Sequence, residues 1–325
     1  MNILVTGGAG YIGSATAEAL IKAGHSVTVY DSLITGHRLA VPEGAKFIEA
    51  DLSDSYTLVK ALTDEKFDAV IHFAALIEAG ESMKDPGRFY HNNLTNSLTL
   101  METAVRAGVK RFVLSSTAAV YESSEEPLTE ESPLGPTNVY GHTKLMVEQA
   151  LDWYRQIHGL HFAALRYFNA CGALPGRGEA HRPESHLIPL VLRVPLGQRD
   201  AAAIYGTDYP TPDGTCIRDY IHIADLVSAH LLALDGLKER DRLIYNLGSG
   251  NGYSVREVIE TARQVTGHLI PAKELPRRPG DSARLVASSE KIRRDLGWQP
   301  EHDNLHDMIA SAWDWHKSHP NGYEK

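Results

Sequence analysis

The chain opens with Ile3-Leu4-Val5, runs into Thr6-Gly7-Gly8-Ala9-Gly10-Tyr11-Ile12-Gly13, and continues as an amphipathic stretch from Ser14 to Ala23. A short apolar strand, a glycine-rich turn and a helix, in that order, restrict the chain to folds built from strand–helix units. Glycines at 7, 10 and 13 allow a tight turn, close backbone approach to a pyrophosphate, and close packing of helix on strand. The helix N-terminus then offers free N–H groups and the positive end of its dipole to phosphate. The spacing is G-x-x-G-x-x-G, and three glycines alone specify only a turn. Asp31 adds the chemistry. It ends the apolar run Val27-Thr28-Val29-Tyr30, roughly 20 residues after the glycines, where a carboxylate can accept from the adenosine ribose hydroxyls. Its charge also repels a 2′-phosphate, which selects NAD over NADP.

The same alternation continues through the first half of the chain. Strands are expected at Ser26–Tyr30, Lys46–Glu49, Ala69–Phe73, Arg111–Leu114 and Phe162–Arg166, with helices at Ser55–Asp64, Asn93–Ala107 and Thr143–His158 between them. Nearly continuous apolar strands separated by helices predict a doubly wound parallel α/β sheet of Rossmann type, covered on both faces. After about residue 170 the pattern breaks. Cys171 to Ser185 and Asp208 to Thr215 are rich in Gly, Pro and charge. Helices are then expected near Asp225–Leu234, Val255–Thr266 and Ser289–Leu296, and strands at Ile244–Leu247 and Val286–Ala287. The reading is a dinucleotide-binding domain over 1–170 and a smaller α/β substrate domain over 171–325, with later segments interleaved into the first.

Further ligand positions fall at strand ends. Asp51-Leu52 follows the third strand and either meets the adenine edge or, through Asp51 or Ser53, caps the next helix. Phe73-Ala74-Ala75 places small residues where a cofactor backbone would pass. Tyr-x-x-x-Lys occurs twice, at Tyr56/Lys60 and at Tyr140/Lys144, and either spacing puts both side chains on one helix face. Only Tyr140 follows a strand with a hydroxyl-rich end, Ser115-Ser116-Thr117. In a doubly wound sheet that end faces the ligand crevice. Tyr140 is therefore the expected proton carrier, Lys144 its electrostatic partner, and Thr117 the hydroxyl across the substrate. A free tyrosine has a pKa of about 10, so acting as a base at neutral pH needs a fall of roughly 3 pH units, or about 4 kcal/mol. A neighbouring ammonium and a positive nicotinamide both favour the phenolate.

These runs, together with Val70-Ile71-His72-Phe73-Ala74-Ala75, Leu165-Arg166-Tyr167-Phe168-Asn169 and Arg218-Asp219-Tyr220-Ile221-His222, resemble the extended short-chain dehydrogenase/reductases, and among them the nucleotide-sugar 4-epimerases. The likeness spans essentially the whole chain. It implies an isomerase with bound NAD that reversibly epimerises a UDP-hexose at C4 through a 4-keto intermediate, and an assembly as a homodimer. By resemblance Tyr11, Ile12, Ser32, Asn92 and Tyr167 join the cofactor set. Asn169, His186, Leu187, Tyr205, Arg218, Tyr220, Arg278, Asp281 and Leu285, with Thr117, form the UDP-sugar set. Arginines suit a pyrophosphate by charge and fork geometry.

Three positions depart from the usual pattern. Thr117 stands where many members carry serine, which keeps the hydroxyl. Ile77 replaces a lysine that in some members contacts the cofactor ribose, implying a weaker hold there. Leu285 replaces a tyrosine that walls the sugar pocket, which leaves room for an N-acetyl group. A nucleotide-sugar 4,6-dehydratase on the same scaffold would need an Asp-Glu pair where this chain has Ala118-Ala119. A UDP-pentose epimerase and a non-catalytic NAD-binding regulator remain as alternatives.

Composition sets the outer limits. The 325 residues carry a net charge of −9 and no basic run, which argues against nucleic acid or an anionic membrane as partner. Cys171 and Cys216 alone make no disulfide framework, and the chain begins without a signal segment, so a cytoplasmic location is expected. The 16 histidines, among them His158, His161, His181 and His186, contain no His-Glu-x-x-His or Cys/His cluster, so no metal is expected.

Overall fold

A computed structural model describes residues 1–278 and 281–324. The strands are β1 (Asn2–Thr6), β2 (Ser26–Asp31), β3 (Lys46–Glu49), β4 (Ala69–His72), β5 (Arg111–Thr117), β6 (His161–Tyr167), β7 (Asn169–Cys171), β8 (Ala202–Tyr205), β9 (Ile217–His222), β10 (Arg242–Leu247), β11 (Gly252–Ser254), β12 (Ala272–Leu275) and β13 (Arg284–Leu285). The helices are α1 (Tyr11–Lys22), α2 (Ser55–Asp64), the short α3 (Ala79–Ser82) and α4 (Pro86–Phe89), α5 (Asn96–Arg106), α6 (Val139–His158), α7 (Leu187–Leu192), α8 (Ile223–Gly236), α9 (Val255–Thr266), α10 (Glu290–Leu296) and α11 (Leu305–Ser318).

The chain divides into two compact units. The first comprises Met1–Glu122, Pro133–Arg166 and Val227–Tyr245, so a late segment returns to the N-terminal unit. Its centre is a seven-stranded parallel sheet in the order β3-β2-β1-β4-β5-β6-β10. The order reverses beside β1, which pairs in parallel with β2 on one side and β4 on the other. That reversal opens a crevice at the carboxyl ends of β1 and β4, where ligands of doubly wound sheets bind. Both faces of the sheet are covered, so Ile3, Leu4, Val5, Val70, Ile71, Phe112 and Val113 are all fully buried. This is why the strands read as apolar runs rather than alternating ones.

The second unit comprises Ser123–Ser132, Tyr167–Leu226 and Asn246–Lys325. Its core gathers Ile188, Leu192, Ile204, Tyr220, Val258, Met308 and Trp313. Around β9 lie β11, β13 and β7. A buried carboxylate fastens this sheet to its loops. Asp219 accepts from the Ser249 hydroxyl at 2.7 Å and from the amides of Ser249, Gly250 and Ala287 at 2.9, 3.0 and 2.9 Å.

Several expectations are corrected. The helix expected from Asn93 begins with a π-turn over Tyr90–Thr95 before becoming α-helical at Asn96. The strand expected at Val286–Ala287 lies at Arg284–Leu285, and Ala287 makes only an isolated bridge to Leu128. Neither Asp51 nor Ser53 caps α2. Asp54 does so, accepting from the Thr57 amide at 3.1 Å, while Asp51 accepts from the amide and hydroxyl of Ser53 at 2.8 and 2.6 Å. The capping site lies at Asp54 because Asp51, four residues before the helix starts, is used to close the turn after β3 onto Ser53.

Candidate functional site

In the first unit the glycine-rich turn fits a pyrophosphate by steric and electrostatic criteria. Gly7 adopts φ +72°, and a Cβ there would lie 2.5 Å from the Ala74 amide nitrogen. A Cβ on Gly13 would lie 2.2 Å from the Gly7 carbonyl oxygen. Any side chain at either position would force the turn away from β4 or away from α1. The N-cap of α1 is Gly10, with no side-chain cap and no acidic residue in the first turn. The positive end of that helix thus meets no competing side-chain charge where an anion would sit.

Asp31 closes β2 and holds the turn from below. Its carboxylate accepts from the Ala9 amide and from the Leu33 amide, each at 2.9 Å. Burial raises its pKa, and those two amides and the charge of His37 oppose the rise. Ser32, Phe73, Ala74, Ala75 and Asn92 are half-buried around this crevice, and Leu52 is buried. One residue was missed beside Asn92. Asn93 is buried and bridges the Leu76 amide and carbonyl at 2.8 and 2.9 Å, and it reaches the Thr143 hydroxyl at 3.3 Å. The π-turn that carries it left no periodic signal in the sequence.

The two Tyr-x-x-x-Lys pairs separate cleanly. Tyr56 is 77% exposed on α2. Tyr140 lies in the first turn of α6, which starts at the N-cap Asn138, whose side chain accepts from the Gly141 amide at 2.8 Å. The Tyr140 amide donates to the buried Ser82 hydroxyl at 3.1 Å. Thr117, at the end of β5, has its hydroxyl close enough to the Tyr140 phenol to favour the phenolate, and it accepts from the Ala119 amide at 3.2 Å. Lys144 is buried, and its ammonium donates to the Ser115 carbonyl at 2.7 Å. The next turn of α6 is anchored too. Glu148 accepts from Arg166 at 2.7 Å and from the Ser116 hydroxyl, and Arg166 also donates to the Tyr121 hydroxyl at 2.7 Å. These contacts set the helix that carries Tyr140 against the ends of β5 and β6.

Burial pushes the Tyr140 phenol up to about 12, with the Thr117 hydrogen bond opposing and the Glu78 charge adding to the rise. Burial also brings Lys144 down to about 8, against the pull of Glu148. Burial thus outweighs the lowering that Thr117 exerts on the phenol.

In the second unit, a cavity is lined by Asn169, His186, Leu187, Tyr205, Arg218, Tyr220, Arg278 and Asp281, all expected from the sequence, and by Arg199, which was not. Arg278 stacks on the Tyr205 ring at 4.8 Å and donates to Asp281 at 2.9 Å. The Asn169 amide group donates to the Asp219 carbonyl at 2.7 Å, and Arg218 to the Ile217 carbonyl at 2.9 Å. Leu285 does not line this cavity; it is half-buried and sits in register with Arg218. Tyr167 ends β6 and is buried. Arg199 carries no motif and lies in a segment without periodicity, so nothing in the sequence singles it out.

The profile of the NAD dependent epimerase/dehydratase family matches residues 3–248. The chain belongs to this family. It is 51% identical over 327 residues to a UDP-glucose 4-epimerase of Halalkalibacterium halodurans, covering 99% of this chain and 98% of that one. A crystal structure of a UDP-glucose 4-epimerase superposes with a TM-score of 0.96 at 51% identity, covering 100% of both chains. The UDP-glucose 4-epimerase of Bifidobacterium longum, solved in complex with NAD+ and UDP, gives a TM-score of 0.95 at 38% identity, covering 99% of this chain and 100% of that one. As a member of this family the chain is an NAD-dependent enzyme. Among the described residues no helix is long and apolar enough to cross a membrane.

Proposed function

We propose that the protein is a UDP-hexose 4-epimerase that interconverts UDP-glucose and UDP-galactose. The observation that carries this reading is the Thr117–Tyr140 hydroxyl pair at the end of β5, with Lys144 one turn further along the same helix. In the first unit the glycine-rich turn, the uncapped start of α1 and Asp31 hold NAD, with Gly7, Gly10, Tyr11, Ile12 and Gly13 around the pyrophosphate and Asp31 and Ser32 at the adenosine ribose. In the second unit Arg218 and Arg278 bind the diphosphate, Asp281 accepts from a ribose hydroxyl, and Asn169, Leu187 and Tyr205 enclose the nucleotide.

Tyr140 takes the proton from the sugar's C4 hydroxyl, and Thr117 bridges the same oxygen. Bound NAD supplies a reversible hydride acceptor at C4. The 4-keto sugar stays tethered through UDP and turns, and Tyr140 returns the proton to the same oxygen when C4 is restored in the opposite configuration. Lys144 holds positive charge near the phenol and donates toward the nicotinamide ribose. Ala118 and Ala119, which begin a 3-10 turn after Thr117, offer neither the acid nor the base that elimination of water across C5–C6 would need. Incubating the purified protein with UDP-galactose and resolving the products tests the reading: UDP-glucose should accumulate to equilibrium, and formation of a 4-keto-6-deoxy sugar or no turnover would refute it.

The reading extends to assembly and location. The helix α6 exposes Trp153 and Ile157, at 62% and 67%, and a second copy packing on that face would form a homodimer. Trp153→Asp should yield a monomer by light scattering. Cys171 and Cys216 are both free thiols, in keeping with a reducing, cytoplasmic setting.

A further inference from the structure

The second unit holds a cluster that the proposed epimerase chemistry does not use in full. Glu179, His181, Glu184 and His186 fall within eight residues, as Glu-x-His-x-x-Glu-x-His. The Glu179 carboxylate lies 2.9 Å from Nδ1 of His181 and 2.6 Å from Nδ1 of His186. The Glu184 carboxylate lies 3.0 Å from Nδ1 of His186 and 4.0 Å from Nδ1 of His181. One ligand atom from each of the four residues falls within 4.8 Å of all the others. In a tetrahedral zinc site with bonds of about 2.0–2.1 Å, neighbouring ligand atoms stand roughly 3.3 Å apart. The contacts quoted bracket that separation.

The charge balance points the same way. The side chains of Glu179 and Glu184 are only 5% and 1% exposed, and buried carboxylates need compensating charge. Without an ion the balance would need protonated imidazoles crowded together, His181 and His186 with ring centroids 5.2 Å apart and His316 also facing both carboxylates. A single divalent cation balances both carboxylates with the histidines neutral, which is the form that ligates metal. Two imidazole nitrogens and two carboxylate oxygens are a donor set suited to zinc.

We propose that Glu179, His181, Glu184 and His186 bind one zinc ion, through a carboxylate oxygen of each glutamate and Nδ1 of each histidine. The ion closes the segment from Glu179 to His186 into a clamp. At one end the Trp315 indole of α11 donates to the Glu179 carbonyl at 3.3 Å. At the other, His186 leads directly into α7 and the cavity wall. The proposal departs from the expectation of no metal because this spacing matches neither His-Glu-x-x-His nor a Cys/His pattern.

The test uses the full-length protein, stripped with chelator, loaded with excess zinc sulfate and passed through gel filtration before elemental analysis. Wild type should retain about one zinc per chain and melt several degrees above the stripped protein, whereas the double variant His181→Gln/Glu184→Gln should retain less than a tenth of an equivalent. Retention below a tenth of an equivalent by wild type, or equal retention by the double variant, would overturn the site. Should the variant fail to fold, X-ray absorption on zinc-loaded wild type decides. A shell of nitrogen and oxygen at about 2.0–2.1 Å with imidazole scattering supports the assignment, and a sulfur-containing shell, implicating Cys171 or Cys216, refutes it.

Discussion

The ammonium of Lys144 donates to the main-chain carbonyl of Ser115 at 2.7 Å, which ties the first turns of α6 to the carboxyl end of β5. This bond distinguishes the pair of half-buried Tyr140 and buried Lys144 from the exposed Tyr56/Lys60 pair of identical spacing. Tyr140→Phe should lower epimerase turnover by several orders of magnitude while leaving NAD and UDP affinity nearly unchanged, as isothermal titration would report. Tyr56→Phe should turn over like wild type. The reverse pattern would place the chemistry on the wrong helix.

Asp31 joins the glycine-rich turn to β2 through the Ala9 and Leu33 amides, and the proposed function gives the same carboxylate the adenosine ribose. Asp31→Asn keeps one acceptor oxygen and removes the charge. It should weaken NAD binding by about tenfold, ~1.4 kcal/mol, and improve NADP binding relative to NAD. Equal loss of both cofactors would mean that the carboxylate serves only to hold the turn.

Leu285 lies outside the cavity of the second unit, and we propose from the family resemblance alone that it bounds the 2-substituent of the sugar. Leucine lacks the ring and hydroxyl of a tyrosine, so UDP-N-acetylglucosamine and its galacto epimer should turn over along with the plain hexoses. A wide pocket tolerates a small substrate, whereas a narrow one rejects a large substrate. Leu285→Tyr should cut N-acetylhexosamine turnover sharply and spare UDP-galactose. Wild-type protein that epimerises UDP-galactose but not the N-acetylated pair would assign the selectivity to another residue.

His72 governs part of the acid stability. It is buried on β4, hydrogen-bonded to the Thr6 and Ser97 hydroxyls at 2.7 and 2.8 Å. Burial, and secondarily the charge of Lys144, bring its pKa from 6.5 down to about 3. The unfolded chain takes up a proton near pH 6.5 and the folded protein does not until about pH 3. Stability therefore falls as the pH drops through that window, by about 1.4 kcal/mol per pH unit for this one proton, and His72 contributes no slope above it. In urea titrations between pH 4 and 6, His72→Gln should show a shallower decline than wild type; parallel declines would remove His72 from the account.

The first unit was largely legible because its physics is local. Apolar strands, a turn that tolerates no Cβ and a period-3.6 helix each leave a mark within a few residues, and Tyr140 could be chosen over Tyr56 from the hydroxyls that precede it. The second unit was less so. The strand Ile217–His222 carries Arg218 and Asp219 in its middle, a pattern that does not read as a buried strand. Asp219 is tolerated there because Ser249, Gly250 and Ala287, distant in sequence, supply its donors. Arg199 and the Glu179–His186 cluster are hidden for the same reason, since each acquires meaning only from neighbours that folding brings in. The Tyr140 phenol shows the limit from the other side: the burial that pushes it up to about 12 leaves no mark in the spacing of the sequence.

The most direct measurement follows the hydrogen on C4. Epimerisation of UDP-galactose in deuterium oxide, monitored by proton NMR, should give UDP-glucose that keeps its original C4 hydrogen, because the hydride leaves and returns within one active site. Deuterium entering C4 from solvent, or a failure to form UDP-glucose at all, would contradict the assignment of Tyr140 as proton carrier for a hydride-transfer epimerase.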